Sequence, residues 1–437
     1  MVGARRPETR WVTRLIPLFL AGCVGFSTHV FVKRICVDFY IENRKKSHVA
    51  TAFLAVYFAF MFLMLLTYFR VFLVIQFDPG VVPLGRLAVE QKDRERERRK
   101  KNGCCNRGGD DLEANRYEGY WPDPNVDSPG LERFYSKDVF ICYTDGRPRW
   151  CSSCSNWKQD RVSHCSEIDR CVKKMDHYCP WVGGIVGETS FKFFVQFTFY
   201  TAIYCIIVLV AAGMSLQEAL QEEAAVDGFV IALLAIGGFF GVFTFAMTAT
   251  SVRYICVNLT NVDYLKAKTL VHQLAIRVPR GTPPGPNYGV ITYPLPKPQP
   301  SPTSPQPSDP TATSEPVSTR DLLAQRTFAV VRTEKGENPF DIGVYRNWKS
   351  VMGNNVVDWL LPFNRSPCET FENNESFYEM GPLIQELRVR FRLPEIPPTE
   401  KVGRDVELSE LNGRGKSSGN GKGNGNGNIG EPGATGL

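Results

Sequence analysis

Four long apolar stretches, the charge on the loops between them and one dense block of cysteine and histidine predict a mainly α membrane protein. The expected layout is four transmembrane helices with a cytosolic, zinc-binding cysteine-rich domain between the second and third spans. Leu15 to Val32 and Val49 to Phe69 are runs of eighteen and twenty-one residues without Asp, Glu, Lys or Arg. Phe193 to Gln217 and Gly228 to Val252 each give twenty-five more, against the about 20 that a helix needs to cross hydrocarbon. Windows such as TAFLAVYFAFMFLMLL are apolar all round, without the polar face of a helix packed on a soluble core. Leu20-Ala21-Gly22-Cys23, behind basic residues, also has the form of a signal peptide with a lipid-attachment cysteine, an alternative reading of the first stretch.

Orientation follows from loop charge. Arg5, Arg6, Arg10 and Arg14 precede the first span, and Arg86, Lys92, Arg94, Arg96, Arg98, Arg99, Lys100 and Lys101 follow the second. Both regions are expected in the cytosol. The loop between the third and fourth spans carries Glu218, Glu222, Glu223 and Asp227 and no base, as expected of the opposite side. Lys33, Arg34, Arg44, Lys45 and Lys46 in the first short loop oppose this assignment and are outvoted by the rest. Four crossings then leave both termini and the cysteine-rich domain cytosolic.

Composition excludes several classes. In 437 residues, 51 basic against 45 acidic side chains leave a charge of +6, too little for a generic nucleic-acid-coating protein. No dinucleotide fingerprint, phosphate-binding loop or heptad array is present. Thirteen cysteines are too sparse for a disulfide scaffold, and several stand at metal-ligand spacing, so reduced thiols facing the cytosol are expected. The chain divides into a cytosolic N-terminus (1–14), two spans (15–77), a cytosolic linker opened by the helix-ending Asp78-Pro79-Gly80 turn (78–150), the cysteine-rich block (151–192), two spans (193–252) and a post-membrane segment (253–278). A Pro-rich linker (279–320), a C-terminal segment (321–411) and a disordered Gly/Asn-rich tail (412–437) follow. Thirteen prolines between Pro279 and Pro316 favour extended polyproline II over a core. Cys104 and Cys105, after a charged helix-prone stretch, are an ordinary loop or a lipidation site.

The chemistry concentrates in CSSCSNWKQDRVSHCSEIDRCVKKMDHYCPWVGG, which opens at Cys151. Cys151 and Cys154 can grip one metal from a tight turn, and His164, Cys165 and Cys171 offer the remaining ligands of a closed Cys3His zinc site. Such a metal is structural, because a short polar loop needs a cross-link to hold its shape. In Asp176-His177-Tyr178-Cys179-Pro180-Trp181, a carboxylate, an imidazole and a thiol fall together. A free thiol with a pKa of about 8.5 is mostly protonated at neutral pH, so His177 as base and Asp176 as its orienter would activate Cys179 as nucleophile. Cys179 stands just before the third span, at the membrane–water boundary. That position suits a long-chain acyl-CoA, whose tail gains about 0.8 kcal/mol per CH2 buried while its phosphates stay in water. Arg170, Lys173, Lys174 and Arg253 are the bases available to those phosphates, or cytosolic-side charges obeying the topology rule.

These motifs resemble the DHHC-type protein S-acyltransferases (palmitoyltransferases), in the variant with Tyr in the third position of the quartet that is similar to a fungal branch. The resemblance extends to Asp78-Pro79-Gly80 and to NPFDIGVYRNWKSVMG (Asn338 to Gly353); Thr260-Asn261-Val262-Asp263 is a degraded version of a further family motif. It implies transfer of palmitate from palmitoyl-CoA to cysteines of membrane-associated proteins through a thioester on Cys179, with a catalytically silent membrane scaffold as the alternative. It carries a first zinc onto Cys151, Cys154, His164 and Cys171. The second family site would need ligands at 165, 168, 178 and 185, where Cys165 is joined by Ile168, Tyr178 and Ile185. One zinc is therefore expected, with the three replacements forming an apolar plug. Trp181 is expected beside the acyl chain or as an interfacial anchor, and Asn347 with Trp348 as a tie between the C-terminal segment and the cysteine-rich block.

Overall fold

The computed structural model describes residues 7–101, 130–223, 225–267, 271–293, 325–369 and 375–397. Cys104 and Cys105, most of the Pro-rich stretch and the Gly/Asn-rich tail lie outside the described residues. Four helices are long and apolar enough to cross a membrane: Leu15–Asn43, Ser47–Phe77, Phe191–Gln221 and Gly228–Cys256. The first runs past the charges that mark its end in the sequence. Its second half, Val30–Asn43, is wound as a π-helix, and Cys23 lies mid-helix ahead of it.

The contrary charges of the first loop find partners. Lys33 pairs with Asp38 at 2.8 Å, and Arg34 approaches Asp227 at 3.9 Å. Arg44 bonds Glu222 and lies 3.5 Å from Glu218, which Lys46 also approaches at 3.6 Å. The acidic loop between the third and fourth spans thus neutralises the basic turn between the first and second. Inside the bundle, polar side chains join three spans: Tyr57 and Tyr204 share a hydroxyl bond of 2.7 Å, Tyr204 meets Ser27 at 2.9 Å, and Tyr57 meets Thr28 at 2.9 Å. These four hydroxyls are satisfied within the bundle, as lipid requires.

Among the described residues, short helices and ten short strands lie outside the spans: β1 Val139–Ile141, β2 Arg149–Cys151, β3 Asn156–Lys158, β4 Val162–Cys165, β5 Arg170–Lys173, β6 His177–Cys179, β7 Gly184–Val186, β8 Gln273–Val278, β9 Gly289–Tyr293 and β10 Arg326–Arg332. Strands β2 to β7 form three successive hairpins. The others build one antiparallel sheet, in the order β1-β8-β10-β9. Its period-two pattern buries both faces. Ile141, Leu274, Ile276 and Val331 pack with Leu387 on one; Phe140, Ala275, Phe328 and Val330 pack with Trp157 of the cysteine-rich block on the other.

This sheet corrects the reading of 279–320 as a linker throughout. Within that stretch the proline-free run Gly289-Val-Ile-Thr-Tyr293 pairs with β10, and Tyr293 is fully buried. The residues read as a linker before the block and a segment after the fourth span likewise meet in it, as β1 and β8.

The second span ends at Asp78, and the turn does more than stop a helix. Its Gly80 carbonyl accepts from Lys173 N–H at 3.0 Å, and Val82 N–H donates to Cys171 O at 2.8 Å, so the chain leaving the membrane runs along β5. Gly85 then passes so close to the Cys151–Cys154 turn that a Cβ there would lie 1.6 Å from the Ser155 carbonyl. Across the block, Arg161 is the pivot. Its guanidinium donates to Asn258 Oδ1 (2.7 Å), Asn258 O (3.0 Å) and Asp263 Oδ2 (2.9 Å), just beyond the fourth span. Arg161→Met leaves Asp263 without its cation, and a loss of about 3 kcal/mol is expected, read as an earlier thermal unfolding midpoint of the detergent-solubilised protein.

Candidate active site and metal centre

Two hairpins each supply two metal ligands. Cys151 ends β2 and Cys154 sits in the turn to β3, while His164 on β4 and Cys171 on β5 are directly opposed across their ladder. The four ligand atoms lie within 4.8 Å of one another. His164 Nδ1 is 3.6 Å from Cys151 Sγ and 3.5 Å from Cys154 Sγ. Three sulfurs and one imidazole nitrogen make the donor set of a closed tetrahedral site for a soft divalent ion. Bonds from Cys154 and Cys171 drive the Cys151 thiol far down, and bonds from Cys151 and Cys154 push Cys171 far up.

One supporting residue is not evident from the spacing. Asp169 turns the β4–β5 hairpin in the left-handed region (φ 52°) and brings a carboxylate oxygen 3.6 Å from His164 Nε2, on the side of the ring away from the thiols that face Nδ1. Lys92, on the charged helix Arg86–Lys101, approaches the same carboxylate at 3.5 Å. Around the lost second site, Cys165, Ile168 and Ile185 are buried together with Val172, and Tyr178 packs on them. Tyr178 and Ile185 face each other across the β6–β7 ladder, repeating the placing of His164 and Cys171 with apolar side chains. Among the described residues no second cluster of metal ligands occurs.

Strand β6 delivers His177 and Cys179. His177 Nδ1 bonds Asp176 Oδ2 at 2.7 Å, and the other carboxylate oxygen accepts the Asn261 N–H at 2.7 Å. Burial alone would lower the His177 pKa, but the bond to Asp176 and the neighbouring Cys179 push it up to about 9. Its Nε2 is buried and makes no hydrogen bond of normal geometry among the described residues. The ring stands edge-on to Phe194, 5.1 Å between centroids. Cys179 is buried in an apolar cluster with Val71, Val74 and Ile75 of the second span and Phe193 and Phe194 of the third. After it the chain turns through Pro180–Val182 into Gly183, in the left-handed region (φ 82°), whose carbonyl accepts from Gln76 at 3.1 Å. A Cβ on Gly183 would meet the Phe72 ring at 2.9 Å, so glycine is what lets this turn dock on the second span.

Trp181 joins the same cluster, its ring 5.9 Å from Phe240 and 6.2 Å from Phe243 of the fourth span. The four bases fare differently. Arg170 donates to Val82 O at 2.9 Å, and Lys174 is 8 % exposed with its pKa lowered by burial, so neither is free to meet phosphates. Arg253 is exposed beside Tyr264, and Lys173 is half-buried. Lys174 instead lines a small cavity with Asp176, Glu188, Tyr254, Thr260 and Cys368. Neither Cys179 nor His177 lines that cavity, although Phe191, Ile255 and Val351 belong both to its wall and to the thiol's apolar cluster.

Asn347 ties the C-terminal segment to the end of the fourth span rather than to the cysteine-rich block: its Nδ2 donates to Cys256 O at 2.8 Å and to Asp341 at 2.7 Å. Trp348 packs against the cluster around Cys179. The degraded motif Thr260-Asn261-Val262-Asp263 forms a complete reciprocal cap, with Asp263 N–H on Thr260 Oγ1 and Thr260 N–H on Asp263 Oδ2, each 3.1 Å. That cap presents the Asn261 N–H to Asp176.

Four helices able to cross a membrane, a Cys3His cluster between the second and third that could hold a metal ion, and an Asp-His pair leading into a thiol packed on the spans define a class: polytopic membrane proteins with a cysteine-rich module that brings a thiol to its membrane helices. Residues 144–268 match the family described as DHHC palmitoyltransferase. The chain is 38% identical over 405 residues to palmitoyltransferase pfa5 of Aspergillus fumigatus, covering 86% of this chain and 89% of that protein. With palmitoyltransferase pfa5 of Emericella nidulans the identity is 37%, over 86% of this chain and 85% of the relative. Palmitoyltransferase PFA3 of Saccharomyces cerevisiae is 28% identical over 59% of this chain and 66% of its own length. The chain belongs to the DHHC palmitoyltransferase family.

Replacing the carboxylate behind the metal-ligating imidazole tests the cluster. Asp169→Asn is expected to weaken metal binding by about 10–100-fold, measured by competition with a chromogenic chelator.

Proposed function

We propose that this chain is a protein S-palmitoyltransferase that forms an acyl thioester on Cys179 and passes the chain to cysteines of membrane-associated proteins. The observation that carries the reading is the arrangement of His177 and Cys179 on one strand, with Asp176 just before it, beside the second and third spans. With His177 pushed up to about 9, its ring holds a proton beside the sulfur, and the attacking form is a Cys179 thiolate paired with a His177 imidazolium. The Cys179 thiolate attacks the thioester carbonyl of palmitoyl-CoA, the new S–C bond forms, and the CoA thiolate leaves. The His177 imidazolium gives that thiolate its proton. In the second half the substrate thiol loses its proton to His177, attacks the acyl-enzyme carbonyl and releases the Cys179 thiolate. One thioester replaces another, so no energy-rich cofactor is consumed.

Asp176 keeps the imidazole turned and charged, and Asn261 keeps Asp176 turned. Trp181, Phe240 and Phe243 would line the acyl chain's path, and the exposed Arg253 would meet the CoA phosphates. The cysteine-rich block and both termini would face the cytosol, as the bases before the first span and after the second favour. A single structural zinc on Cys151, Cys154, His164 and Cys171 would brace the hairpins that lead into β6, supplying a cross-link rather than reaction chemistry.

The decisive comparison is with Cys179→Ala, which is expected to abolish hydroxylamine-sensitive labelling by an alkyne-tagged fatty acid. Equal labelling of the two proteins would favour the silent scaffold. His177→Ala is expected to slow acylation by about 10²–10⁴-fold. Since the imidazolium is the proton donor to CoA, acylation by the wild type should fall as pH rises through about 9. In Asp176→Asn that limb should move to lower pH, because burial is then opposed by less. A stopped-flow pH profile of CoA release reads both.

Metal content tests the plug. The wild type is expected to carry about one zinc per chain, and the combined Ile168→Cys, Tyr178→His and Ile185→Cys variant about two, because it completes a Cys3His set around Cys165. Elemental analysis of the purified proteins distinguishes the two contents.

A further inference from the structure

After the family motif that ends at Gly353, the chain carries VVDWLLPF, Val356 to Phe363, between polar ends Asn354-Asn355 and Asn364-Arg365. Val356, Val357, Leu360 and Phe363 are 59, 60, 47 and 63% exposed, and no residue of the helix Val356–Leu360 is buried. What holds this segment is its backbone. Lys192 Nζ donates to Asn364 O at 2.9 Å, and Tyr200 OH to Leu360 O at 2.8 Å. Gln196 Nε2 donates to the carbonyls of Asp358, Trp359 and Leu361 at 3.1, 3.0 and 3.3 Å.

Lys192, Gln196 and Tyr200 lie one above another on the third span, so the segment climbs that helix. Eight residues between Lys192 and Tyr200 are about 12 Å of axis at 1.5 Å per residue. The span Phe191–Gln221 is longer than the about 30 Å of hydrocarbon it must cross. If the excess is shared between its ends, Tyr200 stands several ångströms inside the apolar layer. Irregular backbone is tolerated at that depth only when protein groups satisfy its polar atoms, and these side chains do so for five carbonyls. The one acid is paired too: Asn364 Nδ2 donates to Asp358 Oδ1 at 2.6 Å. Trp359 Nε1 donates to Gly353 O at 2.8 Å.

We infer that residues 356–363 form a wedge inserted into the bilayer, with Val356, Val357, Leu360 and Phe363 seated among phospholipid acyl chains. The surface continues onto Phe199, Ile206 and Val210 of the third span, 41, 53 and 48% exposed, which already face outward from the bundle. The wedge would fix the depth at which the C-terminal segment, and Trp348 against the Cys179 cluster, sit relative to the membrane. It rests on the membrane-spanning helices and not on the acyl-transfer chemistry.

Photocrosslinking of the full chain in phosphatidylcholine nanodiscs tests it. p-Benzoylphenylalanine is placed singly at Val357 and Phe363, with Ile206 as the lipid-facing reference and Val389, 70% exposed on the helix Leu383–Arg390, as the water-facing one. Because Val357 and Phe363 project outward, the substitutions leave the backbone bonds intact. Irradiation is expected to add the mass of one phospholipid at Val357 and Phe363, as at Ile206, and none at Val389. Capture of a second copy of the chain, or no lipid adduct at both positions while Ile206 captures lipid, would overturn the wedge.

Discussion

The Asp176 carboxylate is the joint on which the site depends. One oxygen orients His177, and the other is held by the Asn261 N–H just beyond the fourth span. That N–H is in place because Thr260 and Asp263 cap each other's backbone, and Asp263 is fixed by Arg161 of the cysteine-rich block. Arg161 also grips Asn258, which donates to Phe340 O at 2.7 Å. Each bond is modest alone, but buried charge-assisted networks reinforce one another. Three separate parts of the chain, the block, the fourth span's exit and the C-terminal segment, therefore converge on the geometry of one imidazole.

The cysteine-rich block shows two solutions to one folding problem. Short hairpins of three or four residues are not stable by themselves, so each pair needs a brace. In the first, His164 and Cys171 sit opposite each other and face the Cys151–Cys154 turn, with Asp169 behind the imidazole. In the second, the equivalent opposed pair is Tyr178 and Ile185, closed by Ile168 and Cys165. An apolar cluster tolerates small shifts that a tetrahedral ligand set does not. The β6–β7 hairpin compensates through contacts outside the plug: Gly183 on Gln76 and Phe72, and Cys179 against Val71, Val74 and Ile75. The membrane helices thus help hold the strand that carries the thiol.

What could be read in advance was whatever is encoded locally. The four spans are continuous apolar runs and were legible from the residues alone; spacing offered Cys151, Cys154 and His164 but left Cys165 and Cys171 both open, and the family resemblance chose Cys171. The four-stranded sheet was not. Val139–Ile141 is three residues long, and its partner Gln273–Val278 lies beyond two membrane spans, so no local pattern links them. Gly289–Tyr293 was hidden because the prolines around it dominate the composition. Asp169 was overlooked because an acidic residue in a tight turn has an ordinary explanation, and only the fold brings its oxygen near His164. The end of the first span was misplaced for a related reason: Lys33 and Arg34 read as a boundary until Asp38 and Asp227 supply their counter-charges.

The same sheet bears on why the C-terminal segment belongs to the site at all. Strands β8 to β10 come after the fourth span, yet they close on β1, which precedes the cysteine-rich block, and Trp157 of the block packs on the sheet's face. Ile141 N–H also donates to Asp160 Oδ1 at 2.8 Å, a carboxylate buried beside Arg161. The block is therefore held between the membrane helices on one side and the sheet on the other. A change in the C-terminal segment can reach Asp176 without touching it, through Asn347 on Cys256 and through Phe340 on Asn258. Placing the thiol at the membrane edge is the work of the spans; keeping its imidazole pointed is the work of residues that the chain adds only after it has left the membrane for the last time.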